Sequence, residues 1–208
     1  MSNNRKVSFT IAASALALST ACSGGGSTAE YEAMNESTPT GTATEMPTGT
    51  ATAGHPSPTF DAADVKFTQK MLLHHQQAIE MAKLASHRAS DPEVKQLAAR
   101  IEKEQEQQSQ TMKDLLSSWG QPTPTPGMAP DMPGSMSEED MRKLAAAQGK
   151  DFDKLFVQQM IAHHRGAIEM ARTEEADGAN PQAKDLAKQI ITTQEGELKE
   201  LEQIRDRL

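Results

Sequence analysis

The stretch MLLHHQQAIEMAK, Met71 to Lys83, returns as MIAHHRGAIEMAR, Met160 to Arg172. The offset is 89 residues, and the same offset relates Asp64 to Asp153, Phe67 to Phe156, Pro92 to Pro181, Leu97 to Leu186, Ile101 to Ile190 and Gln105 to Gln194. A register held without a gap from Asp64 to Gln105 implies two copies of one structural unit. At 100° per residue, with Met71 at 0°, His74 falls at about 300°, His75 at about 40° and Met81 at about 280°. Phe67, Ala78, Ala82 and Ala85 share that arc. Phe156, Met160, His163, His164, Ala167, Met170 and Ala171 form the matching arc of the second copy. The repeat therefore predicts two amphipathic helices whose apolar faces carry histidine and methionine.

Each unit reads as helix, tight turn, helix. Asp91-Pro92 and Asn180-Pro181 are helix starts, with a capping side chain followed by proline at the first helical position. The expected helices are Asp61–Arg88 and Pro92–Ser118 in the first copy, and Asp151–Glu175 and Pro181–Arg207 in the second. A short extra helix is expected over Ser137–Ala147, where Ser137 and Asp140 resemble a capping box. Neither hairpin can bury its apolar stripe alone. The fold class is all-α, and the two hairpins should pair into a four-helix bundle over residues 60–208. Within it, residues 60–120 are the first repeat, 121–136 a proline-rich linker and 137–208 the second repeat.

The segment before residue 60 reads differently. Arg5 and Lys6 precede a mostly apolar run, Val7 to Leu18, too short to span a bilayer permanently. Leu18-Ser19-Thr20-Ala21-Cys22 resembles a bacterial lipobox, although Ser19 stands where leucine is preferred. On this reading residues 1–21 are a lipoprotein signal and Cys22 becomes the acylated first residue. The protein is then held at the extracytoplasmic face of the cell membrane. The alternative is an ordinary cleaved signal and free secretion. Residues 22–59 are rich in Ser, Thr, Gly and Pro and read as a flexible tether. Cys22 is the only cysteine, so the domain has neither thiol nor disulfide, as suits an oxidising compartment.

The net charge of −8 becomes more negative once Arg5 and Lys6 are removed, which argues against a nucleic-acid partner. Aromatic content of 3% gives little material for stacking on bases, sugars or a planar cofactor. No nucleophile with an adjacent base, inward carboxylate pair or phosphate-binding loop is visible, so an enzyme is not expected.

The His pairs carry the chemistry. A buried imidazole needs a partner, since an unsatisfied buried polar group costs about 1–3 kcal/mol. Hydrogen bonds alone would satisfy four histidines, and so would a metal. With thioethers nearby and no thiolate, a His and Met set favours Cu(I) or Ag(I), with Cu(II) or Zn(II) open to the imidazoles alone. Residue 74 should lie opposite about residue 106 of the partner helix. Gln105 and its mate Gln194 are therefore expected to orient an imidazole by a hydrogen bond. Glu80 and Glu169 point away from the core, and Lys83 and Arg172, three residues on, suggest surface ion pairs. His55 and His87 have no repeat mate and should face solvent. Met128, Met132 and Met136 recur every four residues in the linker, a spacing that would suit gathering soft copper, though the incidental reading is favoured.

At these residues the chain resembles the bacterial domain-of-unknown-function 305 family, a ferritin-like helical bundle family. Its motif M-x-x-H-H-x-x-A-I-E-M-A appears twice, as Met71 to Ala82 and Met160 to Ala171. The resemblance covers about residues 60–208. Members include exported copper-binding proteins linked to copper and silver tolerance, which implies that role here. The ligands it implies are Met71, His74, His75, Met81, Met160, His163, His164 and Met170. Ferritin chemistry is not implied. A di-iron bundle needs a Glu-x-x-His pair on each of two helices, and no glutamate precedes either His pair at that spacing. Three readings remain: a copper-binding protein, a structural or interaction module of the envelope with hydrogen-bonded histidines, and a metal-dependent redox enzyme. Whether the His pairs form one site or two stays open.

Overall fold

Three of the four long helices begin where the sequence supplies a capping side chain. Asp61 caps α1 (Ala62–Arg88) in a reciprocal capping box with Asp64. Asp91 caps α2 (Pro92–Ser118) and Asn180 caps α5 (Pro181–Arg207), each followed by proline at the first helical position. Ser137 caps the short α3 (Glu138–Ala146). Helix α4 (Gly149–Asp177) has no side-chain cap and starts two residues earlier than the sequence suggests. The computed structural model describes residues 59–125 and 132–208; the expected signal, Cys22, nearly all of the tether, His55 and Met128 lie outside them.

The described residues form the expected four-helix bundle with one extra helix. Helices α1 and α2 pack as one hairpin, α4 and α5 as the other. The hairpins meet chiefly through α1 and α4, the two histidine-bearing helices, while α2 and α5 meet more sparsely. The small residues on the inner arc, Ala78, Ala82, Ala167 and Ala171, are almost wholly buried, as close approach of α1 and α4 requires.

Two buried carboxylates fasten the hairpins reciprocally. Asp64 on α1 accepts from the backbone N–H groups of Ala179 and Asn180, 3.1 and 2.9 Å away, in the α4–α5 turn. Its repeat mate Asp153 on α4 accepts from Ser90 and Asp91 N–H, at 3.1 and 3.0 Å, in the α1–α2 turn. Each aspartate thus satisfies turn donors of the other copy, which relates the two hairpins by an approximate two-fold axis. Backbone donors otherwise left without partners would cost about 1–3 kcal/mol each.

Apolar packing divides into two clusters. One joins Met81, Val94, Ile101, Phe152, Phe156 and Met160 with Leu144 of α3. The other joins Phe67, Met71, Met112, Leu116, Trp119 and Ile190. The His pairs sit between them in sequence on both α1 and α4, so the bundle has a polar layer at its middle.

Candidate metal centre

His74, His75, His163 and His164 are all fully buried. The helices that carry them cross so that His74 and His163, equivalent residues of the two copies, meet with ring centroids 3.7 Å apart and their planes tilted by 37°. His163 and His164 lie 6.5 Å apart, centroid to centroid. The two His pairs therefore make one layer rather than two separate patches.

Hydrogen bonds reach three of the four rings at the same atom. His74 Nε2 donates to the Pro133 carbonyl at 3.1 Å. His75 Nε2 meets Gln108 Oε1 at 2.7 Å, and His164 Nε2 meets Glu197 Oε2 at 2.7 Å. Their Nδ1 atoms are buried with no partner, and neither nitrogen of His163 has one. Burial disfavours the imidazolium. It drives His74 down to about 3, with His75 adding to the shift and the Pro133 carbonyl opposing it. Burial likewise takes His75 to about 4, against the Gln108 hydrogen bond. His163 falls well below its ordinary value through burial and the surrounding imidazoles. Neutral rings with free lone pairs are what a metal needs from histidine.

Thioethers flank the layer. Met81 and Met160 are fully buried in one apolar cluster. Met71 is fully buried in the other, and half-buried Met170 packs against it. The two-fold relation thus puts one methionine from α1 and one from α4 on each side of the histidines. Orphaned imidazole nitrogens and nearby thioethers fit a soft cation. Among the described residues no three His, Cys, Asp or Glu side chains are already arranged to hold a metal.

The linker crosses this layer. Gly134, in the left-handed region at φ 72°, lets the chain turn over α4. A Cβ on Gly166 would stand 1.9 Å from the Pro133 oxygen, so only glycine allows that approach. Gln77, which holds the repeat position of Gly166, binds the strap on the other side. Its Nε2 donates to the Met136 carbonyl at 2.9 Å, and its Oε1 accepts from Met136 N–H at 2.7 Å. Met132 is buried and Met136 half-buried against the first cluster.

Several expectations need correction. Gln105 and Gln194 are buried, but their side chains have no hydrogen-bond partner. The imidazoles are met instead by Gln108 and Glu197, one turn further along each partner helix. An inward carboxylate pair does exist. Glu174 is buried beside Asp64, and burial together with that neighbouring carboxylate pushes it up to about 8. Both lie on the inner arc of their helices, which the helical period would have shown. Glu80, Glu169 and His87 are exposed as expected. Lys83, however, pairs across the hairpin with Glu102 and Glu106, and Arg172 with Glu195, rather than with neighbours three residues away.

A duplicated four-helix bundle with a buried imidazole layer and flanking thioethers defines a class of histidine-centred helical proteins. Within that class the chain belongs to the DUF305 family, described as a domain of unknown function, whose sequence profile matches residues 64–205. A DUF305 fragment from Deinococcus radiodurans is 32% identical, with a TM-score of 0.66; the match covers 73% of this chain and all of that one. A candidate secreted DUF305 protein from Streptomyces coelicolor is 33% identical, with a TM-score of 0.62, over 67% of this chain and 89% of that one. CopM in its Cu(I)-bound form is 34% identical, with a TM-score of 0.60, over 69% and 96% of the two chains. CopM has also been solved with Cu(II) and with silver bound. Among curated proteins, none matches the chain.

Proposed function

We propose that the protein binds copper outside the cytoplasm, taking Cu(I), and Ag(I) in its place, as cargo to be sequestered or handed on. The observation that carries this reading is the set of unpartnered, buried imidazole nitrogens gathered in one layer by the duplication. Left empty they are costly, since each unsatisfied polar group costs about 1–3 kcal/mol. A bound cation would supply the missing partner. His74, His75, His163 and His164 would provide nitrogen, and Met71, Met81, Met160 and Met170 thioether sulfur. The mixed soft set suits Cu(I) and Ag(I) over hard cations. A relative solved with Cu(I), Cu(II) and silver supports the same choice.

The leader-like start and the candidate secreted relative support this compartment. Lipidation at Cys22 would hold the domain at the membrane. Among the described residues no helix is long and apolar enough to cross it.

The experiment is anaerobic titration of the mature protein with Cu(I) against a competing chelator. Replacement of all four layer histidines by alanine should lower the affinity by orders of magnitude. Equal affinity in both proteins overturns the metal reading. The alternative is a structural module of the envelope, in which hydrogen bonds such as His75–Gln108 and His164–Glu197 hold the histidines. It expects the same substitutions to change stability and leave metal content untouched.

A further inference from the structure

The duplication is nearly symmetric at the histidine layer, yet it diverges at one pair of equivalent positions. His75 and Gln108 are 33 residues apart in the first hairpin, as are His164 and Glu197 in the second, and both pairs meet at 2.7 Å through Nε2. The offset of 89 relates Gln108 to Glu197 as it relates the histidines. One copy therefore holds its imidazole with a neutral amide and the other with a carboxylate.

A neutral imidazole carries one hydrogen and one lone pair. A carboxylate is an acceptor only, so Nε2 of His164 carries a hydrogen, and in the neutral ring the lone pair then falls on Nδ1. The Gln108 carbonyl oxygen imposes the same arrangement on His75. The two Nδ1 atoms left over are those that are buried without partners. The carboxylate differs in a second respect. Glu197 is only 7% exposed and its Oε1 has no hydrogen-bond partner. A buried negative charge so placed favours a cation on the far side of the ring. A carboxylate on the outer nitrogen also raises the basicity of the ligating one.

We propose that Gln108 and Glu197 are positioning residues that present Nδ1 of His75 and His164 to the metal, and that Glu197 makes the His164 half the tighter. The inference rests on the copper reading above but concerns residues outside its ligand set. It gives the two halves of a duplicated layer unequal affinities, which suits capture at one and release through the other.

The test has a metal-free arm and a metal arm, both on the mature protein. In the apo protein, nitrogen NMR of the imidazoles should show His75 and His164 as Nε2–H tautomers. Glu197→Ala should scramble the tautomer of His164 and leave that of His75 unchanged, an effect that loss of packing alone does not produce. Glu197→Gln, which keeps the acceptor and removes the charge, should preserve the tautomer yet weaken Ag(I) binding about tenfold or more. Gln108→Glu should strengthen it. An Nδ1–H tautomer at His164 in the apo protein overturns the proposal. So does unchanged Ag(I) affinity in Glu197→Gln while the four-histidine variant loses binding. If the four-histidine variant itself binds Ag(I) as well as the parent, the copper reading fails instead, and the tautomers still decide whether Glu197 positions the ring.

Discussion

His163 offers the sharpest stability test of the layer. Both its ring nitrogens are buried and unpartnered, and its ring lies against that of His74 at a tilt. Such a residue is expensive in the apo protein, and on the copper reading a bound cation supplies its missing partner. His163→Leu should therefore raise the apo stability by about 1 kcal/mol or more, by removing a desolvated polar group. The same change should reduce the stabilisation that Ag(I) confers. Thermal melts with and without Ag(I) check both halves; a destabilised apo protein with undiminished metal response would contradict them. The histidines and methionines of this layer were legible because helical period and repeat register point to the same arc. Their hydrogen-bond partners were not. Opposing positions by residue count puts 74 across from about 106, and so selects Gln105. Side chains in a helix, however, lean toward its N-terminus. His75 leans away from the hairpin turn, which on the antiparallel partner means higher numbers, and it reaches Gln108 instead.

At the scale of elements, the strap from Met132 to Met136 is held by residues that occupy the same place in the two copies. Gly166 provides room and Gln77 provides hydrogen bonds. Gly166→Ala would drive a methyl group into the Pro133 carbonyl, which no rotamer change relieves. The expected cost is about 1–3 kcal/mol, typical of overpacking. It should come with faster deuterium exchange at the Met136 amide as the Gln77 latch loosens. Unchanged stability and exchange would mean that the strap is not pinned there. The helices themselves were readable to within a residue or two, because Asp91-Pro92 and Asn180-Pro181 mark their starts chemically. The strap was not readable. A Pro and Gly segment carries no periodicity, and what fixes it is a missing side chain on a distant helix.

For the whole molecule, the buried acids and bases set opposite slopes of stability against pH. Glu174 sits near 8 when folded against an ordinary 4.5, chiefly because of burial and then because of Asp64. Between those values the folded protein keeps a proton that the unfolded chain releases, so stability falls as pH rises through that window. The slope from one such group is at most about 1.4 kcal/mol per pH unit. His75 acts in the other direction. Its folded value of about 4 lies below the ordinary 6.5, so over that interval the unfolded chain takes up a proton that the folded protein refuses. Stability there falls as pH drops. The two slopes oppose each other between 4.5 and 6.5, and only the Glu174 slope acts from 6.5 to about 8, so in denaturant titrations Glu174→Gln should flatten the alkaline limb and steepen the acid one. A parallel shift of both limbs would contradict the assignment.

The bundle and its class followed from the repeat, but the interlocking of its halves did not. Asp64 and Asp153 appear in the register as polar residues on an apolar arc. Only the crossing of α1 on α4 shows that each satisfies the other hairpin's turn. The central claim, that the duplicated layer exists to hold copper, is tested most directly by metal analysis of the protein purified from its native envelope. The account predicts copper in the parent protein and its loss when His74, His75, His163 and His164 are replaced by alanine. Copper absent from the parent, or equally present in a folded variant, would contradict it.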